Sequence, residues 1–223
     1  GAGGEFDKGC MMAVYDLEEQ EQLDELKAWW RSYGNTVLTL VIVVSLAAGG
    51  IVGWRYYSDR QAFAAGDLYV QLLGAAGAGD PKKVQDIAAS MVDMYPRTGY
   101  THLAALAAAK AAFDAGNLAE ARTRLQWVAE RAKDDGTRDL ARLRLALVLL
   151  DEKKYDEALA AVQAAPVEAM TALFADARGD ILVAQQKAAD ARSAYQLALD
   201  KTDAKSPYRG VIQGKLEALG DAK

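Results

Sequence analysis

From Ser32 to Trp54 the chain runs 23 residues without a charge, bounded by Arg31 and Arg55. As a helix rising ~1.5 Å per residue this run extends roughly 35 Å, enough to cross a hydrocarbon core of about 30 Å. Trp29, Trp30 and Tyr33 stand at its start, and Trp54, Tyr56 and Tyr57 at its end. Amphipathic rings favour both membrane interfaces. The pattern predicts a single transmembrane helix over residues 36–57, with Trp29, Trp30, Trp54, Tyr56 and Tyr57 as interface anchors. The stretch before it is acidic, whereas a cleaved signal peptide starts basic, so the run reads as an uncleaved anchor.

After Arg55 the pattern changes to Ala- and Leu-rich segments with few β-branched runs and no alternation, which is helical in composition. Breakers at Gly77-Ala78-Gly79-Asp80-Pro81, Tyr95-Pro96, Ala115-Gly116-Asn117, Asp134-Asp135-Gly136, Ala165-Pro166 and Ser206-Pro207 divide it into helices of about 12 to 20 residues. Between Trp54 and Leu73 only Gly66 interrupts, so the span is expected to run on into the first of these helices. Three turn-and-helix pieces resemble one another: those ending at Ala121, Ala158 and Ala191, spaced by 37 and then 33 residues. A fainter one places Val84 in the same slot. A period near 34 with paired helices is the mark of tetratricopeptide repeats. The expected fold is all-α: a single N-terminal transmembrane helix, then a tetratricopeptide-like α-solenoid of about four helical hairpins, capped by a helix from Pro207 to Leu219. Leu125, Val162 and Tyr195, each four residues after its alanine, are expected to fill the gap between hairpins. The helix preceding each turn keeps the repeat's small residue only in part, as Gly179, Ala109 and Ala146, and Arg142 and Arg178 fall where core residues belong.

The predicted domains are therefore 1–11, a scar or disordered leader; 12–35, an acidic amphipathic segment; 36–57, the span; and 58–223, the repeat domain. In the second of these, Leu23, Leu26, Trp30 and Tyr33 recur at helical spacing. Residues 1–35 hold 8 of the 31 acids and 3 of the 26 Lys and Arg, so residues 55–223 carry 23 of each and are electrically neutral. Such a domain lacks the basic excess that favours nucleic acid or an anionic lipid surface. The only cysteine, Cys10, lies in the leader, which leans slightly toward an exported domain. Orientation follows Lys and Arg near the ends of a span, and Lys27 and Arg31 on one side balance Arg55 and Arg60 on the other.

Candidate chemistry is sparse. The one histidine, His102, sits at a helix start, where a surface or capping role is expected, and hydrolytic triads and metal sites need more ligands or bases than this. Gly74, Gly77 and Gly79 precede Asp80-Pro81-Lys82-Lys83 without the Gly-Lys-Ser/Thr ending of a phosphate loop. Asp134-Asp135-Gly136-Thr137 fits a helix end followed by a Thr cap. No catalytic residue, cofactor or metal site is expected, and the chain reads as a non-enzyme. Binding remains. If the repeat register holds, the concave face presents Leu103, Leu106, Phe113, Leu140, Leu143, Leu147, Leu150, Leu173 and Val183 as an apolar partner-binding groove; the competing expectation is that a capping helix or a shifted register buries them. Within the span, Ser45, Gly49 and Gly53 share one face at a spacing that permits close helix contact in lipid.

The order of these features resembles the YfgM family of ancillary SecYEG translocon subunits. The residues that carry the resemblance are Leu26-Lys27-Ala28-Trp29-Trp30-Arg31-Ser32-Tyr33-Gly34-Asn35, the exit Gly53-Trp54-Arg55-Tyr56-Tyr57, Leu143-Arg144-Leu145-Ala146 leading to Lys154-Tyr155-Asp156-Glu157-Ala158-Leu159, and Arg178-Gly179-Asp180 leading to Ala191-Arg192-Ser193-Ala194-Tyr195. The resemblance implies a bacterial inner-membrane protein with a cytoplasmic N-terminus and periplasmic repeats. It would work beside SecYEG and the periplasmic chaperone PpiD on secretory protein clients. A membrane-anchored repeat scaffold for another envelope complex is the alternative.

Overall fold

A computed structural model describes the backbone of residues 6–220 and the side chains of residues 23–220. Residues 1–5 of the expected leader, the thiol of Cys10 and the carboxylates between Asp16 and Glu21 lie outside that description. Among the described residues the fold is all-α, with no strand. The helices are α1 (Phe6–Gly77), α2 (Pro81–Met94), α3 (Gly99–Asp114), α4 (Leu118–Arg131), α5 (Asp135–Asp151), α6 (Tyr155–Ala161), α7 (Thr171–Ala184), α8 (Ala188–Lys201) and α9 (Tyr208–Ala218), with a 3-10 turn at Glu168–Met170. Two compact units divide between Asp59 and Arg60.

In the first unit, α1 contains a stretch long and apolar enough to cross a membrane, and none of its residues in that stretch is buried. An apolar helix that finds no protein to bury against is expected to find lipid. Trp30 folds back over Gly34, where an added Cβ would lie 3.0 Å from the indole. The hydroxyl of Thr39 donates to the Asn35 carbonyl at 2.8 Å, which satisfies a polar group without leaving the helix.

The second unit is built from one turn repeated four times. Gly79, Gly116, Lys153 and Gln186 take left-handed φ values of 70°, 76°, 60° and 63°. Each lets the next amide reach back to the carbonyl five residues earlier: Asp80 to Ala75 at 3.0 Å, Asn117 to Ala112 at 2.8 Å, Lys154 to Leu149 at 2.8 Å and Lys187 to Leu182 at 2.9 Å. This closes the helix end and reverses the chain. Five residues past each turn residue stand Val84, Ala121, Ala158 and Ala191, none more than 1% exposed. The slots read from the sequence are thus the places where paired helices touch.

A second register is anchored to the same turns. The residues seven before and nine after each turn residue are Leu72 and Ala88, Ala109 and Leu125, Ala146 and Val162, and Gly179 and Tyr195, all buried. In every pair a large side chain lies on one helix and a smaller one on the other. The extreme is Gly179, where an added Cβ would stand 2.3 Å from Tyr195 Cε1. Close packing leaves no room for both to grow.

The hairpins are the Arg60–Gly77 part of α1 with α2, then α3 with α4, α5 with α6, and α7 with α8; α9 packs on α8 through a core that includes Ile212. One helix departs from the expected length. α6 has seven residues against 14 in α2, α4 and α8. Pro166 is the physical reason: it disfavours helix at Ala165, and its ring would clash with the Val162 carbonyl.

Candidate binding surface

α3, α5 and α7 are the first helices of hairpins two to four, and the expected groove residues lie on them. Leu103, Phe113, Leu147, Leu173 and Val183 are exposed, at 36–41%. Leu140 and Leu150 are half-buried against the core. Leu106 and Leu143 are corrected by the structure: at 4% and 9% exposure they belong to the core shared by α3, α4 and α5. The reason is that an apolar stripe more than 100° wide on these helices faces a neighbour on each side, so its centre is covered and only its margins remain open. α9, which packs on α8, does not bury Leu103, Phe113 or Leu147.

Between α3 and α5 the open margin deepens into a cavity of about 310 Å³, lined by Ala109, Lys110, Phe113, Asp114, Leu125, Arg144, Leu147 and Val148. A shallower groove of about 640 Å³ lies between α6 and α8, beside Leu159, Gln163, Arg178 and Leu197. In the first unit, Gly49 and Gly53 have no described neighbour within 4 Å of where a Cβ would stand. Trp29, Trp30, Trp54, Tyr56 and Tyr57 are all exposed. Trp29 stacks near Tyr33 at 6.0 Å and Trp54 near Tyr57 at 6.3 Å.

The two arginines that looked misplaced in the repeat pattern explain how hairpin three survives its short α6. Arg142 donates through Nε to the Ala161 carbonyl at 3.1 Å, through Nη2 to Ala164 at 3.0 Å, and through Nη1 to Asp139 at 2.8 Å. Arg178 donates to the Val162 carbonyl at 2.7 Å. Asp139, only 3% exposed, accepts from the Val167 amide at 2.7 Å. A helix end leaves unpaired carbonyls and a partial negative charge, and guanidinium groups satisfy both. These are structural residues. The sequence signal for them was charge at core slots near a helix-stopping proline.

A second polar cluster ties down α9. Lys215 donates to Asp176 at 2.8 Å and to Asp180 at 2.8 Å, while Tyr208 donates to Asp176 at 2.6 Å and Tyr195 to Asp180 at 2.7 Å. Burial, reinforced by these acceptors, pushes both phenols above their ordinary range. Burial alone would lower Lys215, but its two carboxylate partners outweigh it and the ammonium is held above its usual value.

His102 is a further correction. It is 5% exposed and stacks near Trp127 at 5.4 Å, while the cap of α3 is Thr98, whose side chain accepts from the Thr101 amide. Burial first, and the charge of Lys133 second, hold the imidazole below its ordinary 6.5. The sequence placed it at a helix start, but a residue four past a cap points inward once the helix packs. The start of α5 also differs in detail: Asp134 is the cap, accepting from the Thr137 amide at 2.7 Å.

Residues 27–221 match the tetratricopeptide repeat-like domain family. A protein of Neisseria gonorrhoeae named ancillary SecYEG translocon subunit is 36% identical over 208 residues, covering 91% of this chain and 98% of the relative. The chain belongs to the YfgM family. Relatives with the same name in Escherichia coli and Haemophilus influenzae are each 28% identical, covering 93% and 83% of this chain and 99% and 90% of their own length. The YfgM family's names and repeat fold point to an accessory subunit rather than a catalytic one. Among the described residues no three His, Cys, Asp or Glu side chains are grouped to hold a metal.

Proposed function

We propose that this protein is a non-enzymatic accessory subunit of the SecYEG translocon, held in the bacterial inner membrane by residues 36–57. Its N-terminus is cytoplasmic and its repeats periplasmic, where the exposed margins of α3, α5 and α7 bind polypeptide: translocon, the chaperone PpiD or emerging secretory clients. The observation that carries this reading is a relative, named for that role, that aligns along nearly its whole length. It is supported by an electrically neutral repeat domain with an open apolar face on α3, α5 and α7. Two measurements test it. SecYEG subunits are expected to co-purify with the tagged chain in mild detergent, and their absence overturns the assignment. Protease added to spheroplasts is expected to digest the repeats. A protected domain would favour the scaffold reading, which the balance of Lys27 and Arg31 against Arg55 and Arg60 leaves available.

A further inference from the structure

The cavity between α3 and α5 is apolar in its floor and walls: Ala109 and Val148 are buried, and Phe113 and Leu147 are each 41% exposed. At about 310 Å³ it sits at the small end of ligand pockets and suits one large side chain rather than a whole helix. Its two cations differ. Lys110 is paired with Asp114 at 2.6 Å, whereas the half-buried Arg144 has no acidic partner among the described residues. An arginine stem laid along apolar surface with its guanidinium unpaired is a ready partner for a carboxylate, which it can grip with two parallel hydrogen bonds.

We propose that this cavity takes a large apolar side chain of a partner polypeptide whose adjacent Asp or Glu side chain pairs with Arg144. The inference rests on the reading of this face as a polypeptide-binding surface, and it names what the face selects. The occupant is fixed by charge complementarity: the lining carries Lys110, Asp114 and Arg144, a net positive charge, so a basic apolar segment meets repulsion where an acidic one gains a pair.

The test uses the full chain in lipid nanodiscs, with empty nanodiscs subtracted, and fluorescent 12-residue peptides of Ser and Ala around a central Glu-Leu-Leu-Glu, Gln-Leu-Leu-Gln or Lys-Leu-Leu-Lys. All are amidated, so the only carboxylates are side chains; a free-acid form of the Gln peptide supplies a main-chain carboxylate instead. The Glu peptide is expected to bind at least tenfold more tightly than the other three. Arg144→Glu reverses the order of the Glu and Lys peptides, Arg144→Gln levels the Glu and Gln peptides, and Leu147→Gln weakens the Glu peptide about tenfold, with folding checked by circular dichroism. Equal affinities, an order unchanged by both Arg144 variants, a preference for the free-acid peptide, or no binding at all would overturn the proposal. Co-purification of SecYEG with the wild-type chain, without any peptide preference, sinks this inference alone; peptide preference without co-purification sinks the translocon reading alone.

Discussion

Hairpins three and four begin from the same turn and end differently. Lys153 and Gln186 hold equivalent left-handed positions, and Ala158 and Ala191 are buried in equivalent slots. Hairpin four then extends α8 for 14 residues and packs an aromatic ring onto a bare glycine backbone, whereas hairpin three stops α6 after seven and hands its open carbonyls to two arginines. The comparison teaches that a degenerate repeat has two ways to finish a hairpin. One is shape, with size taken from one helix and given to the other; the other is charge, with buried donors in place of missing turns.

The largest effect should come from hairpin three. Arg142→Met leaves Asp139 buried with its charge uncompensated and strips donors from two carbonyls, so urea unfolding should show a loss of about 3 kcal/mol. The equivalent blow to hairpin four is steric. Gly179→Ala drives a methyl into Tyr195 and should cost about 2 kcal/mol, which Tyr195→Val in the same chain should largely restore, since Ala146 with Val162 already packs that way. Little recovery in the double variant would mean that the pair is not the unit of packing.

A smaller effect is read by pH in hairpin two, which holds His102. His102 has a folded pKa below 6.5, so the neutral imidazole is the form that the fold prefers. Its contribution is present in full above about pH 6.5, the unfolded value, and is lost as pH falls toward and through the folded value. The thermal midpoint of the repeat domain should therefore drop between about pH 7 and pH 5, and His102→Met should flatten that drop; an unchanged slope in the variant would remove His102 as its source. The smallest effect concerns the turns themselves. Lys153→Gly relieves a left-handed non-glycine residue and is expected to add about 0.5 kcal/mol, while Gly116→Ala should subtract about 1 kcal/mol. If both shift stability in the same direction, backbone strain is not what distinguishes these turns.

Much of this was legible without coordinates because it is local. The uncharged run announces a lipid-length helix, Gly116 and Gly79 announce reversals, and the alanines at 121, 158 and 191 announce close approach by their spacing alone. The open apolar face was half legible: the repeat register places Leu103, Phe113 and Leu147 on the concave face, but it also includes Leu106 and Leu143, since spacing fixes a stripe and not how much of it a neighbour covers. Arg144 was legible only as part of a motif that carries the family resemblance, without a role, because an arginine on a helix is ordinary until its surroundings are known.

The sequence by itself determined the class of fold, the number of hairpins and the anchor, for these depend on interactions within a turn or a single helix, where periodicity and backbone sterics suffice. Only the tertiary structure decided that His102 is buried, that Leu72 and Ala88 exchange sizes relative to the other pairs, that Arg142 and Arg178 finish a shortened helix, and that Arg144 stands unpaired beside a cavity. Each of those depends on which atoms meet across helices far apart in the chain, and close packing settles that only when the whole solenoid is assembled.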